Sequence, residues 1–131
     1  MVLSRQGSNP LKDLVPLVTR QQLTDIQNTV EDTFVSDVVV KYIVDLIVST
    51  RQNENLLRGA SPRATLAVTS MAKAVARLRG RDYVVPGDVR EVFIHTVAHR
   101  LILSPRAESQ GKQPEQVLRE ILETVDAPKL R

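Results

Sequence analysis

The sequence predicts an all-α fold, a small helical bundle of about five helices with at most one very short strand. Three observations lead there. Apolar residues recur at helical spacing in five segments, and proline and small polar residues stand where those helices would start. A chain of 131 residues with 42% apolar and 25% charged residues has the composition of one compact globular domain.

Residues 1–18 hold Gly7, Pro10 and Pro16 among scattered hydrophobics without a period, which reads as a linker or strap, leaving 19–131 as the domain proper. Thr19, with Gln22 three residues on, forms a capping-box pattern, and Leu23, Ile26 and Val30 follow at helical spacing, so a first helix should run to about Glu31. The next segment is rich in β-branched residues, and propensity alone favours a strand. Asp37, Lys41 and Asp45 decide otherwise. Four apart, they share one helical face while Val39, Tyr42, Ile43, Leu46 and Ile47 fill the other; a strand would mix the two sets. A second helix is therefore predicted from Asp37 to about Arg51, capped by Ser36.

Ser61 suits the cap of a third helix and Pro62 its first position, where a missing N–H costs nothing. It should reach about Arg79, bury Ala64, Val68, Met71, Val75 and Leu78, and stop at Gly80. Tyr83 to Val85 is short and extended because the residue before a proline is pushed out of the helical region. Pro86 opens a fourth helix to about Leu101, with Val89, Val92, Phe93, Val97 and Leu101 inward and Gly87 weakening its start. Ser104 to Pro114 reads as a polar loop, and a fifth helix from about Glu115 to Val125 places Leu118, Ile121, Leu122 and Val125 on one face.

Composition also excludes. Without cysteine there is no disulfide framework, thiol nucleophile or thiolate metal site. Two Phe, two Tyr and no Trp leave few rings for stacking on bases. The most apolar stretch, Phe34 to Val48, is broken by three charges, and the N-terminus lacks an apolar run fit for a secretory signal, so a cytoplasmic protein without membrane contact is expected.

The net charge is +3, unevenly placed: between Arg58 and Arg90 seven basic residues face two acidic ones. Such a region either attracts an anion or is a solvated helix surface. No phosphate-binding loop accompanies it. The one Gly-Lys pair, Gly111-Lys112, has Arg106 in place of the first glycine and Gln113 in place of the hydroxyl, so the chain alone should not hydrolyse a nucleotide, and no catalytic residue is assigned. His95 and His99 stand four apart, but Thr96 replaces the glutamate of the zinc-protease pattern and no third ligand is apparent. A metal site is not expected, and His99 followed by Arg100 reads as a packing or hydrogen-bonding pair. Ser61-Pro62-Arg63 is the most informative constellation. A guanidinium in the first turn of a helix adds a permanent charge to the partial charge already there, a placement easiest to understand if an anion occupies that end. The alternative is that Arg63 projects into water.

Thr50-Arg51, Gly59-Ala60-Ser61-Pro62-Arg63-Ala64, Gly80-Arg81-Asp82-Tyr83-Val84-Val85-Pro86, Asp88-Val89 and His99-Arg100-Leu101 together resemble the C-terminal lid of MoxR-type AAA+ ATPases. The likeness spans roughly residues 10–125. It implies a helical lid beside an α/β nucleotide-binding core that this chain lacks, with Met1 either a boundary cut into a longer protein or a natural start. It also implies that Arg63 is the sensor-2 arginine reaching the γ-phosphate of ATP, with Gly59, Ser61 and Pro62 positioning it. ATP and Mg would be bound through the core. The partners implied are that core, neighbouring subunits of a ring and a von Willebrand factor A-type protein, with ATP turnover coupled to chaperone-like remodelling. Two other readings remain at this point: a histone-like nucleic-acid module, which predicts steeply salt-dependent DNA binding, and a plain protein-interaction bundle.

Overall fold

The computed structural model describes residues 14–129. Within them the chain forms α1 (Arg20–Glu31), α2 (Asp37–Gln52), β1 (Leu56–Arg58), α3 (Pro62–Leu78), α4 (Pro86–Val97), a 3-10 turn (Ala98–Arg100), β2 (Ile102–Leu103), α5 (Pro105–Ser109) and α6 (Pro114–Thr124). The all-α reading holds, and Gly87 does not prevent α4 from starting at Pro86. Gly7 and Pro10 of the expected strap lie outside the described residues; Leu14 to Val18 are exposed.

The core is aliphatic. Val39, Tyr42, Ile43, Leu46 and Ile47 of α2 meet Ala64, Val68, Ala72 and Ala76 of α3, Val89, Val92, Phe93 and Val97 of α4, and Val117, Leu118, Ile121 and Leu122 of α6. Asp37, Lys41 and Asp45 stay outside the core, with Lys41 bonded to Asp45 one turn on.

Five local expectations need correction. In α3, Ala64 and Val68 are buried as expected and Val75 is partly buried, but the buried row runs on through Ala72 and Ala76, while Met71 is half exposed and Leu78 is 88% exposed. Three of the four buried residues are alanines, which let α3 approach α4, the helix it packs against most extensively. Hydrophobicity alone favoured the larger side chains. The fourth helix ends at Val97 and tightens into the 3-10 turn before Leu101. The segment read as a polar loop holds α5, whose first turn is capped by Ser104 Oγ accepting from Ala107 N–H at 3.3 Å, with Pro105 in the first position. Strands β1 and β2 pair antiparallel, Leu56 opposite Leu103 and Arg58 opposite Ile102, where at most one strand was expected. Finally, Ser36 and Ser61 stand at their helix starts, yet neither side chain makes a capping bond.

The α1 helix differs from the others because it contains no buried residue. Its start is closed by the Thr19–Gln22 box: Thr19 Oγ1 accepts from Gln22 N–H at 3.2 Å and Gln22 Oε1 from Thr19 N–H at 2.7 Å. Its end is held by cations of α3, with Lys73 Nζ donating to the Glu31 carbonyl at 2.7 Å and Arg77 Nε to the Thr29 carbonyl at 2.9 Å. Positive charge at a helix C-terminus is favourable, but these contacts are exposed. Thr19→Ala should therefore cost α1 about 1 kcal/mol, raising its amide exchange rates about fivefold while leaving the global unfolding midpoint unchanged. Hydrogen exchange distinguishes this from α1 belonging to the cooperative core, in which case protection would fall throughout. Among the described residues no helix is long and apolar enough to cross a membrane.

Candidate functional site

The structure resolves what the central basic segment does. Lys73 and Arg77 hold the end of α1. Arg79 and Arg81 converge on Asp88, and Arg90 donates to the Leu122 carbonyl at 2.6 Å. Five of the seven cations are thus committed inside the domain. Arg58 and Arg63 are the two without a side-chain hydrogen bond or ion pair among the described residues, and both are exposed.

Arg63 occupies the second position of α3. The helix starts at Pro62 because Ser61 is extended, with φ −76° and ψ 162°, and its carbonyl accepts from Ala64 N–H at 2.9 Å. No acidic residue lies in the first turn, so nothing local neutralises the positive helix end or the guanidinium. The turn before it is fixed from α2. Thr50, fully buried, accepts from Ala60 N–H at 2.9 Å, and Arg51 Nε donates to the Ala60 carbonyl at 2.7 Å. Gly59 is pressed against the same helix end: a Cβ there would fall 2.5 Å from the Thr50 carbonyl oxygen and 2.7 Å from the Arg51 Cα. Gly59, Ser61 and Pro62 thus lie in the turn and helix start that lead into Arg63. The sequence reading gave no role to Thr50 or Arg51. Their signal was a Thr-Arg pair ending an apolar helix nine residues before a Gly-Ala-Ser-Pro turn.

Near Arg63 in the chain, Leu57 and Leu66 are exposed. Leu66, one turn along α3, is 70% exposed and lines an open cleft of about 680 Å³ with Ile26, Val30, Thr69, Lys73 and Ala74. The cleft is mixed, with Gln27, Asn28, Glu31 and Ser70 also among its walls.

A second polar cluster lies at the far end of α3, a helix of 17 residues and hence about 25 Å long. Asp88, fully buried, receives two hydrogen bonds from Arg81, at 2.6 and 2.8 Å, one from Arg79 at 3.1 Å and one from Val85 N–H at 2.9 Å. Arg79 also bridges to Glu91. Burial pushes the Asp88 carboxyl up, but Arg81, the Val85 N–H and the charge of Arg79 together outweigh it and hold the group below the usual carboxylate range. This cluster closes the α3–α4 connection, with both Asp88 carboxylate oxygens paired. His95 and His99 are exposed, and among the described residues no group of three or more His, Asp or Glu converges as a metal site.

Residues 48–121 match the AAA lid domain family. The chain belongs to that family. Relatives place the lid with MoxR-type proteins. It is 33% identical to Chaperone MoxR1 of Mycobacterium tuberculosis over 98% of its own length and 36% of the relative's. It is 36% identical to the uncharacterised protein YeaC of Bacillus subtilis over 97% of its length and 40% of that protein. Protein MoxR of Methylorubrum extorquens shares 43% identity over 72 residues. A crystal structure assigned as an ATPase from Cytophaga hutchinsonii superposes with a TM-score of 0.87 at 31% identity, covering 97% of the lid and 41% of that chain. The lid thus spans about two fifths of the length of the relatives it matches across its whole sequence.

Proposed function

We propose that this lid closes over ATP bound to an AAA+ core and reads its γ-phosphate through Arg63, as a sensor-2 arginine. The observation that carries the reading is this: of the seven cations between Arg58 and Arg90, five are spent on internal contacts, and of the two without a side-chain partner among the described residues, Arg58 and Arg63, Arg63 stands at a helix start with no acidic residue in its first turn. Two exposed leucines, Leu57 and Leu66, flank Arg63 in the chain and would be covered by a docked module. Residues 1–18 serve as the strap to the core, and the domain begins at 19. Nothing among the described residues cradles a triphosphate or Mg, so those tasks belong to the core.

Charge-assisted hydrogen bonds of this kind are worth about 1.5–3 kcal/mol, enough to bias a hinge between open and closed. Gain of the γ-phosphate draws the lid down, and its loss releases it. In a cytoplasmic ring the motion would pass to neighbouring subunits, to a von Willebrand factor A-type partner and to a client undergoing chaperone-like remodelling. A nucleic-acid role fits less well, since most of the basic segment is already paired.

The test is Arg63→Ala in the full ATPase, core and lid together. Turnover should fall about 10- to 100-fold, the rate equivalent of the lost bond. Unchanged turnover together with unchanged nucleotide affinity would remove the reading.

A further inference from the structure

Ala60 is gripped at both of its backbone polar atoms. Thr50 Oγ1 accepts its N–H, Arg51 Nε donates to its carbonyl, and the Thr50 hydroxyl proton goes to the Ile47 carbonyl at 2.6 Å. With one donor and one acceptor partner, the buried hydroxyl has a fixed direction. The two gripping residues are consecutive, on the last turn of α2, whose Val39, Tyr42, Ile43, Leu46 and Ile47 form much of the core. The turn has no cap of its own, because the Ser61 side chain bonds to nothing in α3. The turn before α3 is tied instead to the end of α2. Arg63 follows three residues after Ala60.

We propose that Thr50 and Arg51 are positioning residues for Arg63. Their clasp on Ala60 sets the direction in which the guanidinium leaves the first turn of α3. It also joins that turn to the core, so that a pull on Arg63 moves the bundle as a body instead of bending the turn. The inference rests on the reading of Arg63 as the γ-phosphate contact. It adds that the aim of the sensor is set by hydrogen bonds that never touch nucleotide.

A double-mutant cycle in the full ATPase tests it, with kcat and KM for ATP measured separately and thermal unfolding followed for every variant. Thr50→Val keeps the shape and removes the hydroxyl; it should lower kcat about fivefold, and Thr50→Ser, which restores the oxygen, should recover most of that loss. In an Arg63→Ala background, Thr50→Val should have no further effect on kcat. Equal losses in both backgrounds, or no loss in the first, would overturn the positioning role while leaving the γ-phosphate reading intact. An Arg63→Ala protein with normal turnover and affinity would overturn both. Should Thr50→Val fail to fold, Arg51→Gln, at an exposed position, carries the same cycle with the same outcomes.

Discussion

Asp88→Ala is expected to destabilise the lid by about 3 kcal/mol, the lower part of the range for breaking a buried ion pair, since the arginine partners keep some contact with water. Asp88 does three things at once. It neutralises Arg81 through two hydrogen bonds, joins Arg79 from the end of α3, and accepts the Val85 N–H at the start of α4. Asp88→Asn keeps the acceptor for Val85 but loses the charge, and about half the cost should remain. Chemical denaturation of the isolated lid measures both. The same residue sets an acid limit. Its folded pKa lies below the unfolded value of about 4, so its contribution is fully present above that value and is lost as pH falls through the folded pKa. Stability of the wild-type lid should therefore decline below about pH 4 more steeply than that of Asp88→Asn. Arg81 is held further above its already high range by the bond to Asp88, so nothing on its side titrates near neutrality. Equal acid sensitivity in the two proteins would assign the loss to other carboxylates.

Gly59→Ala is the second large effect, and it couples stability to function. The added Cβ would lie 2.5 Å from the Thr50 carbonyl oxygen and 2.6 Å from its carbonyl carbon. Those atoms belong to α2 and cannot swing aside like a side chain. The turn must move away, and both clasp bonds to Ala60 lengthen or break. Overpacking of this kind costs about 1–3 kcal/mol, and loss of the buried Thr50–Ala60 bond adds to it, so a drop in melting temperature of about 10 °C is expected. Gly59→Ala should also reduce ATP turnover in the full protein at temperatures where the lid remains folded. Normal stability and normal turnover together would mean that the turn is not pinned against α2.

Several elements were legible from local chemistry. Thr19 and Gln22 mark the start of α1 because a capping box closes within four residues. The helical nature of α2 follows from Asp37, Lys41 and Asp45, despite its β-branched content. Pro62 and Pro86 fall at first helical positions, and Gly80, at φ +71°, lies just beyond α3. Other features were hidden for a common reason. The buried row of α3 was misread at Met71 and Leu78 because the sequence shows which residues are apolar but not how closely a neighbouring helix approaches. The short α5 was missed because five residues are too few for a periodic pattern. Counting charges revealed an excess of cations without showing that Lys73 reaches Glu31 or that Arg90 reaches Leu122.

By itself the chain determined where α1 to α4 begin, that aliphatic side chains fill the interior, and that Arg63 rides on the first turn of a helix. Those properties arise from neighbours within about one helical turn. The tertiary structure decided which cations remained free, which face of α3 went inward, and that the turn before Arg63 is clasped by Thr50 and Arg51. Each depends on a bond or contact between segments brought together by folding, whose distances local sequence does not encode.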